Sequence, residues 1–412
     1  MGGCPEKKTY PFKTLRRGAK TEPNPHSVPL AKRGEPKGGG KLQIRPRDWY
    51  NFGSTAYTNG AIGFLEHTAG SFAPPPKISH VDADTAHEVR TAMDRNLGMD
   101  FVRATEAAAL SSGRWVGKGD RHAVDQAACE AMRRTLGDID MKGVVVIGEG
   151  ERDEAPMLYI GEELGTGNGY AVQIAVDPVE GTNLVATGQP GAISVVAAAI
   201  EGEGKLLRAP DIYMDKLVVG PAAKGAVDIT LPPRMNLKVI AKSLGKEVQD
   251  LTVGMLDRPR HEQLIREIRQ AGARIRLVSD GDLSLALEAL DPQGEIDVLM
   301  GIGGAPEGVL SAAAALCMGG EIQARLVFRN EQERERAKQL LGTEDVDRVL
   351  TMEDLAWGNV VFAATGITGG NLLGGVRYTG WGAITHSVVM RSRSGTIRWL
   401  ETHHHFHHDP RY

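Results

Sequence analysis

Residues 175–184, Ala-Val-Asp-Pro-Val-Glu-Gly-Thr-Asn-Leu, set two acids, Asp177 and Glu180, around a proline directly after the apolar-alternating run Tyr170–Val176. Carboxylates at the end of a buried strand repel each other and lose hydration, and that cost is offset by a proton, a basic partner or a metal ion. Acids recur in the same setting along the chain. Glu149, Glu151 and Asp153 follow the apolar run 143–147, Asp280 and Asp282 follow 274–278, and Glu307 follows 296–300 across Gly301-Ile-Gly-Gly-Ala-Pro306. In open α/β sheets ligands bind beyond the carboxyl ends of the strands, so acids far apart in sequence can converge there. Hard oxygen donors of this kind suit Mg2+ or Mn2+ and not zinc. For any one acid alone, a helix cap or turn former is the plainer role, and Asp282, beside a helix start, is the clearest such case.

The glycine-rich stretches favour a phosphate. Gly301–Gly308 leads into an Ala-rich helix, and a helix N-terminus with free N–H groups suits a phosphate; the dinucleotide fingerprint is absent there and the chain has no P-loop. Arg258-Pro-Arg260 places two guanidinium groups in a strand-to-helix loop, which fits bidentate phosphate recognition as well as it fits a solvated basic turn. Acids for divalent ions together with phosphate-binding loops point to metal-assisted phosphoryl hydrolysis.

To bring these groups together the chain must alternate strands and helices. Helical spacing runs from Asp94 to Leu110, with Leu97, Phe101, Val102 and Leu110 near one face, and again from Ala123 to Leu136. Strands are expected at 143–147, 171–176, 192–200, 216–219 and 226–230. From there strands at 252–256, 274–278 and 296–300 alternate with helices at 260–271, 283–290 and 307–317. The pattern predicts α/β layers, with a boundary near Leu231-Pro-Pro-Arg234.

The chain's 412 residues, 41% of them apolar, can bury a sizeable core. No apolar run approaches the ~18–20 residues that span a bilayer, and no signal-like segment opens the sequence, so a soluble, cytoplasmic protein without a membrane partner is expected. Cys4, Cys129 and Cys317 lack metal-ligand spacing and fit a reducing compartment, as small buried or surface thiols. Residues 1–80 carry 13 Lys and Arg against five Asp and Glu, a net +8, which leaves −12 on the rest of a chain at −4 overall. An acidic body excludes general nucleic-acid binding. The basic, Gly/Pro-rich leader reads as disordered or loosely docked. His403–His408 reads as a solvated tail, Trp115 and Trp357 as core or subunit-interface residues, and Arg329–Lys338 as the solvated face of a helix.

Several ordered motifs resemble one family: Gly148-Glu-Gly-Glu151, Asp153–Gly161, Asp177-Pro-Val-Glu-Gly-Thr182, Ala209–Leu217 and Gly301–Gly308 are similar to those of the class II fructose-1,6-bisphosphatases. That family belongs to the lithium-sensitive sugar and inositol phosphatase superfamily, whose hallmark is an Asp-Pro-x-Asp/Glu-Gly-Thr turn, and the resemblance covers about residues 94–400. It implies a layered αβαβα fold of two α/β halves with the active site between them. It also implies a gluconeogenic hydrolase of the 1-phosphate of fructose 1,6-bisphosphate, using Mn2+ or Mg2+, in a homo-oligomer (dimer or tetramer). The divisions expected are an extension over 1–93, a metal-binding half over 94–233, a substrate-binding half over 234–400 and a His-rich tail over 401–412. By the resemblance the metal ligands are Asp125, Glu149, Asp177, Glu180 and Glu307, and Asp153 with Thr182 orients and deprotonates the attacking water. The implied substrate contacts are Glu180, Gly181 and Thr182; Tyr213; Arg258, Pro259 and Arg260; Asp280, Gly281 and Asp282; and Gly304. The family often has Lys where this chain has Arg121 in Gly119-Asp-Arg121, which keeps the charge but not the compact geometry. A dual fructose/sedoheptulose bisphosphatase, an inositol-phosphate-type phosphatase and a non-enzymatic phosphosugar sensor are the alternatives.

Overall fold

The computed structural model describes residues 97–150 and 157–406. The whole of the expected N-terminal extension over 1–93, with Cys4, and also Glu151 and Asp153 lie outside the described residues.

Two sheets and three helical layers build the described part. The first sheet runs β12-β13-β11-β4-β3-β1-β2, with β14 also paired to β13. Its strands are β1 Met141–Ile147, β2 Glu163–Leu164, β3 Tyr170–Glu180, β4 Ile193–Leu206, β11 Ala356–Gly366, β12 Arg377–Tyr378, β13 Gly382–Arg391 and β14 Thr396–His405. The second sheet runs β10-β9-β5-β8-β6-β7: β5 Tyr213–Val219, β6 Thr252–Leu256, β7 Arg274–Val278, β8 Val298–Gly304, β9 Glu321–Val327 and β10 Leu350–Thr351. Each sheet is mixed. β1 and β3 are parallel, as are β6, β7 and β8, while β5 is antiparallel to both β8 and β9.

Alternation along single strands assigns the layers. On β4, Val195, Ala197 and Ala199 face the core between the sheets, whereas Val196 and Ala198 face the core under the outer helices α1 (Leu97–Gly113) and α2 (Arg121–Gly137). Leu97, Phe101, Val102 and Leu110 of α1 are buried there, on the face the spacing predicts. Between the sheets run α6 (Asp282–Leu290) and α7 (Ala305–Met318). A helix covered by sheet on both sides must be apolar all round, and Ala312–Ala315 are fully buried; their small side chains let both sheets close on the helix. Helices α4 (Pro233–Leu244) and α5 (Glu262–Ala271) cover the far face of the second sheet. The order is helices, sheet, helices, sheet, helices: the layered α/β fold expected.

Three expectations are corrected. Residues 226–230 form no strand, although Val227 and Ile229 are buried. Their backbone is satisfied by side chains instead: Asp228 N donates to Asn236 Oδ1, Ile229 N donates to Gln323 Oε1, and Gln323 Nε2 donates to the Val227 carbonyl. The period-two burial is real, but no neighbouring strand supplies a ladder. His403–His405, read as part of a solvated tail, are the end of β14; His404 is 2% exposed with its Nε2 2.8 Å from Thr385 Oγ1, and Trp381 stacks on His403 and His405. Gly301–Gly304, read as a loop, continue β8. Helix α8 (Glu331–Leu341) carries the charged run on its exposed face as expected.

Candidate active site

The acidic turn at the end of β3 is built by its own residues. Pro178 has no N–H to give the ladder, and the pairing of β3 with β4 shifts register between Asp177 and Glu180. Asp177 Oδ1 accepts from the Val179 N–H at 3.0 Å, which closes the turn. Gly181 then takes a left-handed conformation (φ 92°) and caps helix α3 (Thr182–Thr187) without a side-chain bond. Asp280-Gly281-Asp282 repeats the plan: Gly281 at φ 85° caps α6.

These turns converge on a cavity of about 380 Å3 lined by Asp125, Glu149, Asp177, Glu180, Asp280 and Glu307, among others. Carboxylate oxygens of Asp177, Glu180 and Glu307 all lie within 4.8 Å of one another. Burial raises the pKa of each, followed for Asp177 by the charges of Glu149 and Glu307, and for Glu180 by Asp177, Asp282 and Glu307. For Glu307 the Lys216 ammonium opposes the rise in part. Burial also raises Asp125. The Glu149 side chain is exposed as a whole, yet its carboxyl is crowded by protein atoms; lost hydration, then Asp125 and Glu307, push it up to about 7. Such a cluster holds protons or a cation. Glu307 Oε2 is buried with no hydrogen-bond partner among the described residues, and the donors are all hard oxygens, so the Asp177, Glu180 and Glu307 cluster fits a hard divalent cation.

Thr182 does not cap its helix by its side chain. Its Oγ1 donates to Asp125 Oδ1 at 2.8 Å and thereby joins α2 to α3 inside the cavity. Asp280 lines the cavity and accepts from Asn183 Nδ2 at 2.9 Å, and Asn183 Oδ1 accepts from Arg121 Nη1 at 2.8 Å. Asp282 is also not a cap. Its Oδ2 lies 2.6 Å from Lys216 Nζ, with both side chains buried, and that ammonium also donates to the Gly304 carbonyl at 3.0 Å.

The glycines of β8 make room for these charges. A Cβ at Gly303 would meet Asp282 Oδ2 at 1.9 Å, and one at Gly304 would meet Glu307 Oε2 at 1.9 Å. Glu307 Oε2, the orphaned atom, therefore lies against the Gly304 backbone.

Tyr213, Arg258 and Arg260 do not line the acidic cavity. Arg260 donates through Nε and Nη2 to the Ile302 carbonyl at 3.1 and 2.7 Å, Arg258 Nη1 donates to the Asp257 carbonyl at 3.2 Å, and Arg260 lies over the Tyr213 ring. Beyond Arg260 a larger groove of about 990 Å3 follows the far face of the second sheet, away from the carboxylates. The acidic cavity is the smaller of the two and holds the reactive groups. The site also contains residues the sequence did not single out. Asp211 lines the cavity within the quoted motif Ala209–Leu217, and Lys216 is the last residue but one of that motif. Asn183, next to Thr182, was equally in plain view.

A family model described as bacterial fructose-1,6-bisphosphatase, glpX-encoded, matches residues 95–404. Two Synechococcus proteins, from strains JA-2-3B'a(2-13) and JA-3-3Ab, are each 50% identical over 336 residues, covering 76% of this chain and 96% of theirs; both are named D-fructose 1,6-bisphosphatase class 2/sedoheptulose 1,7-bisphosphatase. A Haemophilus influenzae protein named fructose-1,6-bisphosphatase class 2 is 48% identical over 324 residues, covering 76% of this chain and 97% of its own. A match of this extent, carried by a chain whose acids meet in one cavity, has one conclusion: the protein belongs to the glpX-encoded bacterial fructose-1,6-bisphosphatase family.

Proposed function

We propose that the protein hydrolyses the 1-phosphate of D-fructose 1,6-bisphosphate to fructose 6-phosphate and phosphate, with Mn2+ or Mg2+ held by Asp125, Glu149, Asp177, Glu180 and Glu307. The observation that carries the reading is the convergence of Asp177, Glu180 and Glu307 oxygens within 4.8 Å in the cavity that Thr182 lines. Bound there, a divalent ion supplies charge that polarises the phosphoryl oxygens and acidifies a water. The chain's own groups do the rest. Thr182 Oγ1 gives its proton to Asp125 Oδ1 and so offers lone pairs to the cavity, where a water donates to it and is aligned with phosphorus. As the water oxygen bonds to phosphorus, the bond from phosphorus to the C1 oxygen breaks and its electron pair leaves on that oxygen, which takes a proton from solvent. The water's proton passes by way of Thr182 toward Asp125, whose Oδ1 accepts from the Thr182 hydroxyl. Asp153, which the resemblance assigns to activating the water, lies outside the described residues.

Tyr213, Arg258 and Arg260 are proposed to bind the other phosphate, and the Asp280–Asp282 turn with Gly304 to shape the sugar pocket. A second reading, that sedoheptulose 1,7-bisphosphate is also accepted, is favoured by the names of the two Synechococcus relatives. Cys129 and Cys317 are buried free thiols, which supports the expected cytoplasmic setting. Among the described residues no helix is long and apolar enough to cross a membrane. The test is phosphate release from a panel of sugar and inositol phosphates with added Mn2+ or Mg2+. The bisphosphates should be preferred and excess chelator should abolish turnover. Full turnover in chelator, or equal rates on monophosphates, refutes the reading.

A further inference from the structure

Tyr213 opens β5 with Gly304 of β8 as its register partner on one side and Val327 of β9 on the other. Directly opposed antiparallel residues lie about 5 Å apart, so the ring stands one strand from the Gly304 backbone against which Glu307 Oε2 is packed. Two guanidinium groups from distant parts of the chain lie over this one ring: Arg260 with Cζ 4.7 Å from the centroid, and Arg329, just beyond the end of β9, at 5.5 Å. Two cations so close repel, and each is tethered. Arg260 is held through Nε and Nη2 by the Ile302 carbonyl. Arg329 is held through Nε by Glu333 Oε1 at 2.5 Å, while the Arg329 N–H donates to Glu333 Oε2 at 2.8 Å. Among the described residues neither Nη atom of Arg329 and not Nη1 of Arg260 has a protein acceptor, so both guanidinium groups keep donors for a ligand.

We propose that Arg329 is a substrate-binding residue: with Arg260, over the same Tyr213 ring, it clamps the phosphate that is not hydrolysed and so sets the preference for bisphosphates. The proposal rests on the bisphosphatase reading above. A phosphate dianion answers the repulsion of two cations, and planar forks fixed by one edge present the other without the entropy cost of a free side chain. The aromatic face adds cation–π attraction that keeps both groups in place when the site is empty of substrate. Arg329 is exposed, so its pair with Glu333 contributes little to stability, and what the geometry gains is recognition.

The experiment compares the full-length wild type with Arg329→Gln and Arg329→Lys at saturating Mn2+, on fructose 1,6-bisphosphate and on p-nitrophenyl phosphate, which has no second phosphate. Arg329→Gln should raise KM for the bisphosphate about tenfold or more, as loss of a charge-assisted hydrogen bond predicts, with kcat changed less than about threefold. Its kcat/KM on p-nitrophenyl phosphate should stay within about twofold of wild type, and Arg329→Lys should recover part of the lost affinity. An unchanged KM for the bisphosphate in Arg329→Gln overturns the clamp, as does a parallel loss on both substrates, which marks a merely structural role. A wild type that does not prefer the bisphosphate sinks the substrate assignment and the clamp together. A wild-type preference that survives intact in Arg329→Gln sinks the clamp alone.

Discussion

Lys216→Met tests whether the carboxylate cavity depends on a cation the chain supplies itself. The Lys216 side chain is 1% exposed and that of Asp282 9%, with 2.6 Å between Nζ and Oδ2. Methionine fills similar volume, so the change removes charge and hydrogen bonds more than packing. Removing one partner of a buried ion pair costs about 3–5 kcal/mol, because the other charge stays buried without compensation. Loss of the bond to the Gly304 carbonyl overlaps with that figure and does not simply add to it. Unfolding entropy of about 2 cal/mol/K per residue converts ~4 kcal/mol into a midpoint about 5 °C lower for a chain of 412 residues. The control is Lys216→Met with Asp282→Leu: with both charges gone the orphan disappears, and the double variant should be more stable than the single. Calorimetry in chelator, then with Mn2+, reads both. The Lys216 charge that opposes the rise in the Glu307 pKa opposes a bound cation as well, so the single variant should need less Mn2+ for the same stabilisation. A Lys216→Met midpoint within about 1 °C of wild type, or a double variant no better than the single, refutes the reasoning.

Thr182→Ala should lower kcat by about a hundredfold or more while KM and metal requirement change little, and Ser should restore much of the rate, because the hydroxyl that meets Asp125 is what matters; a stable Ala variant with near-normal turnover removes Thr182 from the mechanism. Gly304→Ala should abolish Mn2+ binding by calorimetric titration with a smaller effect on folding, since its methyl occupies the place of Glu307 Oε2; metal affinity retained would show that Glu307 is not a ligand. The carboxylates also give a pH dependence whose sign is fixed. Their folded pKa values lie above the unfolded ones, so above about pH 4.5 the folded state holds protons the unfolded state has lost, and stability falls as pH rises, for Glu149 through about 7. Thermal midpoints of metal-free protein between pH 5 and 8 should therefore decline and be restored by Mn2+, most at the upper end; a midpoint that rises over that range contradicts the cluster.

Much of the fold was legible because burial leaves a period. Strands β1 and β3 to β8 and helices α1, α2, α5, α6 and α7 follow from apolar spacing, with ends displaced by up to about six residues, whereas β2 and α4 were not expected. The segment 226–230 misled because burial alternated there while the hydrogen bonds came from Asn236 and Gln323, which no local pattern announces. Gly301–Gly304 misled in the opposite sense. Four residues with three glycines look like a loop, but Cβ atoms are absent there because Asp282 and Glu307 occupy the space. The return of residues 356–405 to the first sheet is a matter of long-range pairing, and the histidines at its end looked like a tail because only His404 faces inward.

The site was legible where function places charge on turns and opaque where a buried partner balances it. Asp177, Glu180 and Glu307 drew notice because acids at strand ends need a reason, and their convergence is a geometric consequence of parallel and antiparallel strands ending on one side. Lys216 drew none: between Asp215 and Leu217 it reads as part of a polar step in the strand, although alternation places it on the same face as Met214 and Val218. All three face the same core, between the two sheets. A lysine on the apolar face of a strand is tolerated only against a fixed anion, and Asp282 is that anion. The two residues explain each other, since an acid that reads as a plain helix cap and a lysine on the apolar face of a strand are unrelated in the sequence and a single ion pair in the fold.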